Sequence, residues 1–279
     1  MFKKYILCLF IALLCLSACS RISVDKRGDD AKKIATKANM GEQIIKAKLF
    51  DLTTWQRVED PYATVNVYIE GDGLAWLNKR KASNNPTPVD PIGLKLAALD
   101  RGSNVIYIAR PCQYTGWNKD GYCSSVYWTT GRTAPEVIES FQSALDQIKE
   151  QYHSYKFNLI GYSGGASVAV LVAAGRNDVK SIRTVAGNTA YEIMSAYHQV
   201  SPMSDSIDPI SVAYELRDTP QLHFVGGDDK VVPINVFNKW AAVSNNSACV
   251  KNFVIEDAEH NDGWVEQWGR LQVMQPSCD

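Results

Sequence analysis

The sequence predicts an α/β domain: a mostly parallel central sheet with helices on both faces. Three observations lead there. Short apolar runs alternate with helix-patterned segments along most of the chain, and strands alternating with helices pair in parallel. The run Asn104 to Ala109 is apolar on both faces, as a strand covered on both sides must be. The run Phe157 to Ile160 enters the glycine-rich turn Gly161-Tyr162-Ser163-Gly164-Gly165, and small apolar residues from Ala166 to Ala174 then read as a buried helix. With 46% hydrophobic residues, the 279-residue chain has enough apolar side chains for one large core.

Taken in order, residues 1–18 read as a leader. Lys3 and Lys4 form a positive start, and Tyr5 to Leu16 is apolar but too short to span a bilayer comfortably. Residues 19–40 are small and charged, with Asp29, Asp30, Lys32 and Lys33, and read as a tether. The domain is expected over 41–279. Ile44 to Thr53 shows partial alternation and reads as its first strand. Thr64 to Ile69 is rich in β-branched residues and reads as the second, ending at Glu70-Gly71-Asp72-Gly73.

Ala82 to Pro91 holds three prolines and two asparagines and is a loop; a short helix is expected over Pro91 to Leu99. Arg110 to Gly131 is a long aromatic loop with Trp117, Tyr122, Tyr127 and Trp128, and loops of that length inside a domain are usually functional. Pro135 to Gln151 places Val137, Ile138, Phe141, Leu145 and Ile148 at helical spacing, with proline at the start. After the central turn, Lys180 to Ala186 reads as a strand and Ser195 to Pro220 as an irregular insertion. Gln221 to Val225 is a strand, Val236 to Ala242 a helix, Val250 to Ile255 the last strand and Gly263 to Val273 a closing helix.

Formal net charge is -1, so nothing in the charge balance points to a nucleic-acid partner or a polybasic membrane patch. The segment Leu16-Ser17-Ala18-Cys19 resembles a bacterial lipobox, whose cysteine is lipidated and becomes the first mature residue. A plain secretory signal cut near Ala18 is the other reading, and both export the chain. Ser20 after the cysteine points to the outer membrane, facing the periplasm, if the cell is Gram-negative. At about 0.8 kcal/mol per buried methylene, acyl chains on Cys19 would hold the protein to a membrane without a spanning helix. Of seven cysteines, Cys8 and Cys15 leave with the leader and Cys19 carries lipid. Cys112, Cys123, Cys249 and Cys278 remain, an even set that favours two disulfides in an oxidising compartment. Among three pairings, Cys112 with Cys123 and Cys249 with Cys278 are favoured, since one closes a local loop and the other tethers a terminus. No pair has the Cys-x-x-Cys spacing of a zinc site.

The chemistry centres on Gly161-Tyr162-Ser163-Gly164-Gly165. Gly-x-Ser-x-Gly between a strand and a helix is the pattern of a nucleophile elbow, a turn too tight for side chains beside the serine. Such a turn exposes the Ser163 hydroxyl and aims the Gly164 N-H at charge developing beside it. A serine is too weak a nucleophile without a base. In this element order the chain resembles the α/β-hydrolase superfamily, whose triad runs serine, acid, histidine along the chain, and the resemblance spans roughly Gly41 to Cys278.

The resemblance implies an α/β-hydrolase fold and a serine esterase-like or lipase-like activity that needs no metal or organic cofactor. The family's Gly-x-x-Asp-x-x-Val-Pro signature falls on Gly226 to Pro233 and points to Asp229 as the acid, with Asp228 its neighbour and competitor. His260, in the loop after the last strand, takes the place of the base; His153, His198 and His223 read as structural or peripheral. The family's second oxyanion donor falls on Glu70-Gly71-Asp72-Gly73, where the Asp72 N-H comes first and that of Gly73 next. An acidic side chain there departs from the family's usual His-Gly and needs a partner, for which Arg110 is the candidate. The same triad serves esterases, lipases, thioesterases and some peptidases. Aromatic residues from Tyr114 to Trp128, with Trp76 and Trp264, either line an apolar acyl site, which favours a small-molecule or lipid carboxylic ester as substrate, or serve as core or lid packing. The reading from another class is a non-catalytic lipoprotein that binds a partner through the Asn118 and Ser201 loops.

Overall fold

The structure is a computed structural model and describes residues 23–115, 121–154 and 156–279. The expected leader, the lipidation residue Cys19, and Trp117 and Asn118 of the aromatic loop lie outside the described residues.

An eight-stranded sheet forms the centre, in the order β1-β2-β6-β3-β7-β8-β9-β10. Its strands are β1 (Gly41–Ala47), β2 (Phe50–Val58), β3 (Val65–Ile69), β6 (Asn104–Ile108), β7 (Phe157–Tyr162), β8 (Val179–Val185), β9 (Gln221–Gly226) and β10 (Val250–Ile255). From β6 to β10 every pairing is parallel; β1 and β2 join as an antiparallel edge. A small hairpin, β4 (Trp76–Asn78) with β5 (Lys81–Ala82), lies outside this sheet.

Alternate residues of the central strands feed two separate cores. On β6, Ile106 and Ile108 face one side with Val67 and Ile69 of β3 and Phe157 and Leu159 of β7. Helices Pro135–Tyr152, Gly164–Ala174 and Ile234–Val243 cover that side through Phe141, Val168 and Trp240. Val105, Tyr107, Tyr68, Ile160 and Tyr162 face the other, under helices Ile92–Leu99 and Trp264–Leu271. Each fully buried Leu, Ile or Phe contributes roughly 1.5–3 kcal/mol, so a two-sided core favours strands that are apolar throughout.

Three expectations are corrected. The stretch read as a tether forms the helix Val24–Lys37, capped by the Ser23 hydroxyl and docked on the sheet through Ala31 and Ala35, both fully buried. Arg27, Ala31 and Ala35 are four residues apart and so share one face, a stripe too small to register as hydrophobic. The single first strand is instead the hairpin β1-β2, turned at Lys48 with φ +56° although no glycine, asparagine or aspartate marks the turn. The irregular insertion begins inside a helix, Tyr191–His198, and contains two short 3-10 turns, Pro209–Val212 and Glu215–Asp218.

The four cysteines of the domain form two bonds, Cys112–Cys123 and Cys249–Cys278. The first closes the aromatic loop after β6, and the second ties the C-terminus to the start of β10.

Candidate active site

The carboxyl ends of β3, β7, β9 and β10 converge on one cleft, as open parallel sheets require. Ser163 follows β7 directly and caps helix Gly164–Ala174 with φ +49° and ψ -118°. A non-glycine residue in this region costs on the order of 1–3 kcal/mol and persists only where its surroundings hold it. They do: the Ser163 N-H donates to the Val185 carbonyl at 2.9 Å, and its carbonyl accepts from Asn188 N-H at 3.1 Å. A Cβ on Gly165 would collide with the carbonyl oxygens of Ile69 and Glu70, so the helix can start this close to β3 only with glycine there.

Ser163, His260 and Asp229 form one hydrogen-bonded line. Ser163 Oγ lies 2.9 Å from His260 Nε2, and His260 Nδ1 lies 2.9 Å from Asp229 Oδ2. The other carboxylate oxygen of Asp229 accepts from the N-H groups of Val231 and Val232, each at 2.8 Å. These bonds fix the Asp229 carboxylate in a turn whose other aspartate, Asp228, is exposed and makes no hydrogen bond to His260. The loop carrying His260 is held through its carbonyl, which accepts from Tyr162 Oη at 3.0 Å and Trp264 Nε1 at 3.1 Å. Burial, then the carboxylates of Glu70 and Asp229, push the Tyr162 hydroxyl well above its usual range, so it stays protonated and donates.

Opposite the serine, the loop after β3 places Asp72 beside the first turn of helix Gly164–Ala174. Among the described residues the N-H groups of Asp72 and Gly164 meet no protein acceptor. The Asp72 side chain packs against Gly164 and is paired with two arginines: Arg110 Nη1 donates to Oδ1 at 3.1 Å, and Arg132 Nη1 donates to Oδ2. Arg110 was expected from the sequence; nothing in the sequence marks Arg132, which reaches the site only because the loop folds back.

Glu70 was also missed, although a charged residue closing an apolar strand was the available signal. It is 1% exposed, and its carboxylate accepts from the N-H groups of Gly71, Gly93 and Leu94 and from Tyr107 Oη. It thereby joins the loop to the N-terminus of helix Ile92–Leu99. Burial pushes its carboxyl up, opposed first by the Gly71 and Gly93 N-H groups.

Ser163 and His260 line a cavity of about 470 Å³ whose apolar wall comes from Leu74, Ala75, Trp76 and Val89. Of the aromatic residues expected there, Trp76 is present and Trp264 is not; Trp264 is fully buried in the core. Tyr114, Tyr122, Tyr127 and Trp128 do not line it either. Trp128 instead donates to the Ser83 carbonyl, and Tyr127 packs on Phe50 and donates to Glu136. No group of three or more metal-ligating side chains occurs among the described residues.

The family model described as serine hydrolase (FSH1) matches residues 104–260, more than half of the chain. The match contains Ser163, Asp229 and His260 and excludes the Glu70–Gly73 loop. No curated protein matches the chain. An α/β serine hydrolase homologue from Coxiella burnetii shares 16% identity at a TM-score of 0.55, covering 83% of this chain and 93% of that one. An esterase of Pyrococcus furiosus shares 14% at 0.59, covering 85% and 91%. The acylaminoacyl peptidase of Pyrococcus horikoshii shares 11% at 0.58, over 82% of this chain but 38% of that one. At such identities the likeness is one of fold, and the fold is that of the α/β hydrolases.

Proposed function

The chain belongs to the serine hydrolase (FSH1) family, and from that premise we propose that it cleaves carboxylic esters through an acyl-enzyme on Ser163. The observation that carries this reading is the line Ser163 Oγ, His260, Asp229, with both bonds at 2.9 Å. Asp229 accepts from His260 Nδ1-H and so leaves Nε2 free to accept the Ser163 proton. The serine oxygen attacks the ester carbonyl, and the N-H groups of Gly164 and Asp72 take up the charge on its oxygen, with Gly73 the neighbouring donor. One such donor is worth roughly 3 kcal/mol in the transition state. His260 then protonates the leaving alcohol, and water, activated by the same imidazole, releases the acid. The apolar wall of the cavity supports an ester over a polar peptide.

The Leu16-Ser17-Ala18-Cys19 motif supports export with a lipid on Cys19, toward the outer membrane, and two disulfides fit an oxidising compartment. A fluorophosphonate probe tests the catalytic reading. Wild type should be labelled and should hydrolyse p-nitrophenyl esters, and Ser163→Ala should lose both while keeping its melting temperature. Equal labelling or turnover in Ser163→Ala removes the assignment, and absence of labelling in wild type favours the non-catalytic lipoprotein.

A further inference from the structure

The cavity beside Ser163 carries a guanidinium that the triad does not use. Arg132 Nε donates to the Thr129 carbonyl at 2.9 Å, and its Nη1 donates to Asp72. Its own carbonyl accepts from Arg110 Nη2. The guanidinium is thus held through Nε and Nη1, while Nη2 has no acceptor among the described residues and the residue lines the cavity.

The open Nη2 edge of Arg132 is what an anion could meet in the cavity. The carboxylate of Asp72 is shared between two guanidinium groups, Arg110 behind and Arg132 in front, and the cluster carries one net positive charge. The other acids facing the cavity have hydrogen-bond partners of their own. Asp90 is paired with Lys95 Nζ at 2.5 Å, and Glu70 is held by three N-H groups and a hydroxyl. The cluster also abuts the reacting atoms, because Asp72 Oδ1 occupies the space a Cβ on Gly164 would take. A prepositioned arginine with one open edge recognises a carboxylate by charge-assisted hydrogen bonding. Leu74, Ala75, Trp76 and Val89 offer an apolar wall for a short methylene spacer.

We propose that Arg132 selects esters bearing a free carboxylate a few methylenes from the scissile carbonyl, that is, monoesters of dicarboxylic acids. This rests on the hydrolase reading above and adds a specificity-determining residue to it.

The test compares p-nitrophenyl monoadipate with p-nitrophenyl hexanoate, which share a chain length and differ in the terminal carboxylate, with spontaneous hydrolysis subtracted. Wild type should favour the adipate ester in kcat/KM by about 10- to 100-fold, the range of one charge-assisted hydrogen bond, chiefly through KM. The preference should shrink as salt is raised. Arg132→Gln should lower the adipate-to-hexanoate ratio by about tenfold or more, and Arg132→Lys should recover part of it. A wild-type preference for hexanoate, or a ratio unchanged in a folded Arg132→Gln, overturns the proposal. If neither ester is turned over, the hydrolase reading fails separately. Calorimetric binding of adipate against hexanoate to Ser163→Ala then decides: tighter adipate binding lost in Ser163→Ala/Arg132→Gln sustains the anion site, and equal binding of the two acids rejects it.

Discussion

Replacing Asp229 with asparagine changes few atoms and reverses the direction of a hydrogen bond. In the native site Oδ1 accepts from two backbone N-H groups, Val231 and Val232 at 2.8 Å, and Oδ2 accepts from His260 Nδ1 at 2.9 Å. An amide has one acceptor oxygen. Turning its NH2 toward Val231 and Val232 would leave two buried donors unpaired, at about 1–3 kcal/mol each, so the oxygen stays on that side. The NH2 then faces His260, whose Nδ1 must accept, and the ring proton moves to Nε2. Nε2 now presents a proton to Ser163 Oγ where it must receive one. The expected loss is roughly 10⁴-fold in kcat, or about 5.5 kcal/mol, with little change in melting temperature. Asp228→Asn alters an exposed side chain and should stay within about threefold of wild type, since surface changes are usually within 0.5 kcal/mol. Initial rates on a p-nitrophenyl ester, normalised to properly folded protein, give both numbers. An Asp229→Asn enzyme within tenfold of wild type, or an Asp228→Asn enzyme that is the more impaired, would refute the tautomer argument.

Glu70→Gln should lower stability by about 1–3 kcal/mol, because one amide oxygen cannot serve Gly71, Gly93 and Leu94 N-H groups together, and one buried donor is left unpaired. At roughly 2–4 °C per kcal/mol for a domain of this size, the melt should fall by about 2–12 °C; an unchanged melt shows that the carboxylate does not hold the loop. His223 tests acid sensitivity. It is 2% exposed between Thr184 and Gln221, and burial lowers its imidazole to about 3. The folded chain keeps it neutral where the unfolded chain, near 6.5, takes up a proton, so stability is full above 6.5 and is lost as pH falls toward 3. At about 1.4 kcal/mol per pH unit, wild type should lose roughly 3 kcal/mol more than His223→Gln between pH 7 and pH 4 in urea unfolding. Equal losses would place the acid sensitivity elsewhere.

What was legible in the chain was what local chemistry dictates. The strands β3, β6 and β7 could be read because burial on both faces leaves no polar alternation. The turn at Ser163 could be read because its strain admits only small neighbours, whereas Asp229 and His260 were picked out by resemblance to the α/β-hydrolase superfamily, local chemistry alone leaving Asp228 and Asp229 as equals. The helix Val24–Lys37 escaped notice because alanines at i, i+4 anchor it, and their burial is visible only against the sheet they touch. The β1-β2 hairpin escaped because Lys48 holds a left-handed conformation without a turn-forming residue.

By itself the sequence determined the layering of the domain and the position of its sharpest turn. Those depend on neighbours within a few residues and on the period of the side chains. Only the tertiary structure decided that Asp72 is shared between Arg110 and Arg132, that Glu70 ties the loop after β3 to a helix, and that Trp264 packs the core while Trp76 faces the cavity. Each of these joins segments tens of residues apart, and a charge or an aromatic ring acquires its role from what the fold sets against it, which no local pattern records.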